Sequence, residues 1–184
     1  MKLRLLVVAG LVLSAMAVQA EQPAGVADAL KEIASEHATH TSFTMDRDML
    51  ETANGLFGDG GGPVAGLSSI TFENYKYREP AFYIPENVAA LRKAYDAAGW
   101  MHLVDQNASP KQSAAPTKPV TDLWMHFHGT DIDGLTVVVR GAKQMSVIEV
   151  SGILKPLDLV HLSGHFGIPK VDPSVVMVPD KSRQ

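Results

Sequence analysis

Cysteine is absent from this chain, and its absence excludes three features. There is no disulfide framework, no thiol nucleophile and no lipidated cysteine of the bacterial lipoprotein type. The chain has 184 residues, which is long enough for one domain whose core needs no covalent cross-link.

Positive charge is also scarce and scattered. The chain has 16 Lys and Arg residues against 20 Asp and Glu residues, and its formal net charge is −4 at pH 7. An acidic chain without a basic cluster lacks the electrostatic signature of a nucleic-acid-binding protein. We therefore expect no nucleic acid among its partners.

Long apolar runs are confined to the first twenty residues. Lys2 and Arg4 precede an apolar stretch, Leu5–Leu13, and Val18-Gln19-Ala20 supplies the small residues that signal peptidase recognises. The pattern predicts a signal peptide over residues 1–20 that is cleaved after Ala20, and an uncleaved N-terminal anchor is the alternative. No later segment reaches the ~20 apolar residues of a spanning helix. We expect a periplasmic or secreted protein with no membrane span after signal cleavage.

The remaining chain divides into three parts. Residues 21–40 predict an N-terminal helix, because their apolar residues recur at helical spacing. Residues 41–170 predict one α+β domain, into which a solvated loop rich in Pro, Ser and Ala is inserted at residues 107–119. Residues 171–184 predict a polar C-terminal tail.

Strand patterns dominate the domain. Leu67–Tyr77 is typical of a long strand, Pro85 begins a helix, and Trp100–Val104 predicts the next strand. Between Thr121 and Pro169 the side chains alternate with a period of two, which predicts three strands followed by a short helix. The sequence therefore predicts the α+β class, with a mostly antiparallel sheet of about five to six strands and helices packed against it.

The alternation also predicts which side chains are buried. A type II′ turn at Gly141-Ala142 would place Arg140 opposite Lys143 in a hairpin. One face of the strands would then form a single buried layer, made of Leu123, Phe127, Leu135, Val137, Val139, Ile148 and Val150.

Two blocks of sequence carry a family resemblance. The first runs from Leu67 to Glu73 and on through Val88, Leu91 and Arg92 to Gly99-Trp100, and the second holds Gly134–Val139, Val147–Gly152 and Leu162–Pro169. In these blocks the chain resembles a bacterial family of exported proteins known as domain of unknown function 4252. The resemblance implies an envelope-associated α+β protein. It supplies no catalytic or binding residues, because the matching positions are structural glycines and core apolar residues.

The sharpest chemical signal is His126-Phe127-His128. Residues i and i+2 of a strand point to the same side, so both imidazoles would lie on one face, about 6 to 7 Å apart at Cα. Two such histidines could begin a zinc or copper site, with a third ligand from Glu149, His161 or His165. The alternative is that His126 and His128 are solvated, or covered by the first helix, and bind nothing.

The same strand face predicts an interaction surface. If it is uncovered, an apolar patch edged by aromatic rings would be open to a partner, and its members would be Trp124, His126, His128, Val138, Met145 and Val147. The alternative is that the N-terminal helix covers this face, since the apolar side of that helix must also be buried.

Catalytic motifs are missing from the sequence. It contains no Gly-x-Ser-x-Gly nucleophile elbow and no His-Glu-x-x-His motif. We therefore predict that the protein is not an enzyme but an exported envelope protein with a binding or interaction role. We expect no cofactor, and an envelope protein or a small ligand as its partner. The alternative is a periplasmic zinc- or copper-binding protein that uses His126, His128 and Glu149.

Overall fold

The computed structural model describes residues 22–56, 65–104 and 109–155. In chain order its elements are α1 (Val26–Lys31), β1 (Ala38–Asp46), α2 (Arg47–Leu56), β2 (Leu67–Tyr77), α3 (Pro85–Ala97), β3 (Met101–Val104), α4 (Pro110–Ala114), β4 (Val120–His128), β5 (Asp131–Arg140) and β6 (Gln144–Leu154). The six strands form one antiparallel sheet in the order β1-β2-β6-β5-β4-β3. This architecture confirms the predicted α+β class.

Some sequence-based predictions lie outside the described residues. They are the signal peptide at residues 1–20, the short helix predicted to start at Pro156, the tail at residues 171–184, and the possible metal ligands His161 and His165. These stay predictions.

The central strands of the sheet are buried on both of its faces. On one side, which we call the aromatic face, α1 and α3 pack against Trp124 and Val138. On the other side, which we call the aliphatic face, Leu50 of α2 belongs to one cluster with Val137 and Ile148. The adjacent residues Val137 and Val138 point to opposite faces and are both 0% exposed, so β5 is covered on both sides.

The buried layer predicted from the alternation is confirmed. All seven predicted members lie in the cluster on the aliphatic face, where Leu123, Leu135, Val137, Ile148 and Val150 are buried and Phe127 and Val139 are partly buried. A fully buried aliphatic side chain contributes about 1.5–3 kcal/mol, so this layer is a main source of the stability of the sheet.

The turn between β5 and β6 lies one residue later than predicted. Arg140 pairs with Met145 instead of Lys143, and Gly141 N–H donates to Gln144 O at 2.8 Å. The prediction of Gly141 as the first central residue is wrong, because Gly141 is not among the glycines with positive φ, which a type II′ turn requires at that position.

Tertiary hydrogen bonds explain why the turn lies one residue later than predicted. Three consecutive turn carbonyls accept hydrogen bonds from the end of β2 and the segment that follows it. Gly141 O accepts from the Tyr83 hydroxyl, Ala142 O from Ala81 N–H, and Lys143 O from Tyr77 N–H. Moving the turn by one residue changes the pairing by two residues, so every side chain keeps its predicted face.

The N-terminal helix is shorter than predicted. Helix across residues 21–40 is corrected to α1 alone, and β1 already begins at Ala38. The residues after α1 pair with the segment that precedes α3, where Ile84 N–H donates to Ile33 O and Ser35 N–H donates to Phe82 O, both at 2.9 Å. These backbone bonds replace the helical ones.

The loop predicted at residues 107–119 contains α4. Ser109 caps this helix by accepting Gln112 N–H on its Oγ at 3.3 Å, and Pro110 occupies its first turn. Residues 105–108 lie outside the described ranges. The helix is not a solvated excursion, because Ser113 binds a buried side chain of β5, as described below.

Two glycines allow β2 and β6 to approach closely at one end of the sheet. Gly152 has φ +130°, and a Cβ placed on it would lie 2.5 Å from Gly66 O and from Leu67 Cα. Gly66 O accepts Ile153 N–H at 2.8 Å. A side chain at Gly152 would push the two backbones apart.

Candidate functional site

A cavity of about 310 Å³ lies between α3, α4 and one end of β4 and β5. Most of its walls are apolar, and they come from Pro85, Val88, Ala89, Pro110, Ala114 and Val120. Its polar lining consists of Tyr83, Arg92, Ser113, Asp122 and Arg140. The volume falls at the lower end of the range for small-molecule sites, so this cavity is the candidate ligand site.

A buried ion pair lies at the base of the cavity. Arg140 Nη2 donates to Asp122 Oδ2 at 2.8 Å, and the two side chains are only 2% and 4% exposed. The other carboxylate oxygen, Oδ1, lies 3.0 Å from Nε2 of His102. Burial by itself would raise the pKa of Asp122, but the hydrogen bonds and charges of His102 and Arg140 outweigh burial and lower this pKa. Asp122 is therefore ionised and neutralises the guanidinium.

Arg140 is also fixed by α4 and by an aromatic ring. Its Nη1 donates to Ser113 O at 2.7 Å and its Nη2 donates to Ser113 Oγ at 3.0 Å. The guanidinium carbon lies 5.3 Å from the centre of the Tyr83 ring, within cation–π range. The side chain is preorganised, so a ligand that meets it loses little free energy in ordering it.

Arg92 supplies an unpaired positive charge to the same cavity. It is an exposed residue of α3, and it makes no hydrogen bond or ion pair with any residue that the structure describes. Because Asp122 balances Arg140, the formal charge of Arg92 leaves the lining net positive. The cavity therefore favours a negatively charged ligand.

An aromatic stack adjoins the buried pair. Trp124 stacks on Tyr95 and on His102, with ring centroids 4.6 Å apart in both cases. Trp124 Nε1 is buried without a hydrogen-bond partner in the described part of the chain. Burial raises the pKa of Tyr95, so its hydroxyl stays protonated. His102 thus connects the stack to Asp122.

The predicted interaction face is not a surface, and this prediction is corrected for four of its six members. Trp124, Val138, Met145 and Val147 are at most 2% exposed, and they lie in the cluster formed with α1 and α3. The apolar sides of those helices needed burial, and this face provides it. His126 is half-buried and His128 is exposed, so only these two remain accessible.

The predicted metal ligands are not brought together. Nδ1 of His126 lies 2.5 Å from Asp133 Oδ1, whereas Glu149 lies two strands away from His126 and accepts a hydrogen bond from Gln22. A bulge shifts the β4–β5 register between His126 and Phe127, so it separates the two histidines. Among the described residues, no three His, Asp or Glu side chains are placed to hold one metal ion.

Glu149 belongs to a separate titratable cluster on the aromatic face. On the neighbouring strand β2, Glu73 accepts the Tyr75 hydroxyl at 2.6 Å and lies 3.1 Å from Nε2 of His40. Burial, and then the negative charge of Glu73, raise the pKa of Glu149 to about 7, although the hydrogen bond from Gln22 lowers it. This carboxyl therefore changes charge near neutral pH.

Asp122, Arg140 and His102 were missed by the sequence analysis. The available signal was a charged residue that continues a valine-rich strand, because a buried charge requires a partner. Finding that partner needed the β4–β5 register, in which Asp122 lies opposite Val138 and Arg140 lies opposite Val120.

The fold and the cavity define an α+β domain with a small charged cavity between its helices and one end of its sheet. No protein-family model, no curated protein and no solved structure matches the chain. The resemblance to domain of unknown function 4252 stays a prediction. Within the described ranges, no helix combines the length and the apolar character of a membrane span.

Proposed function

We propose that this protein is a non-enzymatic binding module of the bacterial envelope, and that its ligand is a small organic anion. One observation carries the proposal: a mostly apolar cavity of about 310 Å³ is lined by Arg92, a cation with no partner among the described residues. Ligand sites usually combine apolar walls with a few polar groups that fix orientation.

The ligand chemistry follows from the positions of the two arginines. An apolar body would lie against Val88, Ala89 and Val120, and its negative group would meet Arg92. Arg140 is already neutralised by Asp122, so it would offer hydrogen bonds rather than net attraction. An inorganic anion would leave the apolar walls without contacts. A monocarboxylate with a short apolar body fits best.

Calorimetric titration with hexanoate, acetate and 1-hexanol tests this proposal. Hexanoate has both the charge and the apolar chain, acetate lacks the chain, and 1-hexanol lacks the charge, so we expect hexanoate to bind most tightly. Arg92→Gln weakens hexanoate binding by about tenfold or more, because a hydrogen bond to a charged group contributes about 1.5–3 kcal/mol. Equal affinity for hexanoate and 1-hexanol contradicts the proposal.

Lys93→Gln is the matched control. Lys93 follows Arg92 on α3 and is also exposed, but it does not line the cavity. Its substitution removes the same charge from the protein and leaves hexanoate affinity unchanged. If both variants weaken binding equally, the ligand responds to the net charge of α3 and not to the cavity.

Export is part of the same proposal, and it is supported by the basic, apolar and small-residue pattern of residues 1–20. Expression of the full chain in a bacterial host, followed by fractionation and N-terminal sequencing, tests it. We expect the protein outside the cytoplasm with Glu21 as its first residue. A cytoplasmic protein that keeps residues 1–20 contradicts export.

A second candidate function is zinc or copper binding through His126 and His128. The observation that favours it is the 2.5 Å contact from Asp133 to Nδ1 of His126, because a carboxylate at one ring nitrogen orients the imidazole and leaves the other nitrogen available to a metal.

Metal analysis of protein purified without a His tag, and melting temperatures with added metal, test this candidate. His126→Ala abolishes retention and His37→Ala, an exposed control, does not. Wild-type protein that retains neither metal removes the candidate.

A further inference from the structure

Within residues 22–56, 65–104 and 109–155, no strand covers the outer edge of the sheet at β1, which is nine residues long. β1 (Ala38–Asp46) pairs with β2 in an uninterrupted antiparallel register of nine residue pairs. On its other side no strand of the described chain pairs with it, because β1 is the end of the sheet order. Every second backbone amide and carbonyl along this edge is therefore available to another strand.

The aliphatic face carries its apolar character out to this edge. One row of directly paired residues crosses all six strands and consists of Phe43, Phe72, Ile148, Val137, Leu123 and Leu103. The row is buried in the middle of the sheet, but its β1 member, Phe43, is 54% exposed. A further strand beside β1 would continue the row and cover this ring.

The β1 edge lacks the features that prevent strand addition. The strand, Ala-Thr-His-Thr-Ser-Phe-Thr-Met-Asp, contains no lysine, no proline and no bulge. Its two titratable side chains act within the subunit, since His40 contacts Glu73 and Asp46 Oδ1 accepts Met49 N–H at 3.0 Å. Charge therefore does not oppose the approach of an identical strand.

We propose that a second copy of this chain occupies the β1 edge, antiparallel to the first, with Phe43 of each copy at the two-fold axis. The two sheets then form one continuous sheet of twelve strands, and the apolar row runs through both copies. An identical strand has the same length and alternation as the edge it meets, and it brings the second exposed phenylalanine that the first must cover. Cross-strand aromatic pairs of this kind lie about 4.5–5.5 Å apart at Cβ and stabilise each other.

The helix that follows β1 is compatible with this arrangement. α2 begins at Arg47, four residues beyond Phe43, which corresponds to about 13 Å along the strand. Antiparallel pairing about Phe43 places the two copies of α2 at opposite ends of the shared edge. The edge is used once by each copy, so the assembly closes as a dimer.

Sedimentation equilibrium of the untagged mature protein tests the assembly. We expect the mass of two chains at micromolar concentration, and Phe43→Lys reduces this mass to that of one chain. Met101→Lys is the matched control, because Met101 is a large apolar residue, 46% exposed, on the opposite edge strand β3, and this variant remains a dimer. Circular dichroism establishes that both variants are folded.

Disulfide trapping tests the register in the same protein. The chain has no cysteine of its own, so each introduced thiol reports a single position. Phe43→Cys forms an intermolecular disulfide on mild oxidation, because paired residues fall within the Cα separation that a disulfide requires. Thr41→Cys does not, because its copies would lie about 13 Å apart along the strands.

Three results overturn the proposal. A wild-type protein with the mass of one chain at 100 µM excludes a second copy and leaves the edge to a peptide of another protein. A dimer that persists in folded Phe43→Lys lies elsewhere on the surface. A disulfide at Thr41→Cys but not at Phe43→Cys contradicts the two-fold axis at Phe43.

Discussion

Arg140 and Asp122 join β5 to β4 diagonally, with 2.8 Å between Nη2 and Oδ2. The two residues are not opposite each other in the register, because Val138 faces Asp122 and Val120 faces Arg140. The long arginine side chain spans this diagonal and still reaches Ser113 on α4. One buried contact therefore connects the sheet, the short helix and the wall of the cavity.

Removing one member of this pair leaves an uncompensated buried charge. Asp122→Leu and Arg140→Met each lower the free energy of unfolding by about 3–5 kcal/mol. The double variant loses less than the sum of the two, because neither charge then remains unpaired. Equilibrium urea denaturation of the four proteins gives the coupling energy. Strict additivity would show that the pair is not coupled.

Glu149 makes stability depend on pH between its two pKa values. Its pKa is near 4.5 in the unfolded chain and about 7 in the folded protein, so across this window the folded state binds the proton more tightly. The contribution of Glu149 to the free energy of unfolding is fully present below pH 4.5 and is lost as the pH rises to about 7. We expect the free energy of unfolding to fall by on the order of 1–3 kcal/mol through this group.

Urea denaturation of the wild type and of Glu149→Gln at several pH values measures this effect. The free energy of unfolding of Glu149→Gln does not show this fall as the pH rises. Glu51→Gln is the control, since Glu51 is an exposed residue of α2 paired with Arg47. This variant keeps the pH dependence of the wild type. If Glu149→Gln follows the wild-type curve, Glu149 titrates normally in the folded protein.

Met145 distinguishes a buried aromatic face from an exposed one. It is 0% exposed beneath α1 and α3, so Met145→Ala lowers the free energy of unfolding by about 2–5 kcal/mol. Met101→Ala, at a 46% exposed position, changes it by less than about 0.5 kcal/mol. Thermal and urea unfolding give both values. Similar small effects at the two positions would place this face in solvent.

Gly152 should be among the least replaceable residues of the sheet. Gly152→Ala adds a Cβ at 2.5 Å from the β2 backbone at φ +130°, so we expect a loss of more than about 3 kcal/mol or no folded protein. Gly129→Ala is the control, because Gly129 also has positive φ, +65°, but has open space around it. Its cost is about 1 kcal/mol. Urea denaturation compares the variants, and equal losses would mean that the close approach is not limiting.

Local sequence patterns were sufficient to predict most of the strands. Alternation predicted the buried aliphatic layer because a period of two assigns faces whatever the strand's partner is. Pro85 marked the start of α3 because proline fits the first turn of a helix. The long strand Leu67–Tyr77 was predicted with its observed bounds.

Long-range contacts account for what the sequence could not show. The hairpin turn is placed by hydrogen bonds from residues 77–83, and α1 ends early because Ile33 and Ser35 pair with the segment before α3. The cavity likewise depends on a register between β4 and β5 that brings Asp122 within reach of Arg140. No local period encodes these distant partners.

The central position of β6 has a consequence for how the chain folds. β2 ends at Tyr77, but its inner neighbour β6 begins only at Gln144. The pairing of β2 with β6 joins β1 and β2 to the rest of the sheet. In a chain that emerges N-terminus first, the inner side of β2 has no neighbouring strand until β6 has been made. Closing so long a loop is also slow. Self-association of unfinished chains should therefore increase whenever synthesis stalls between these two points.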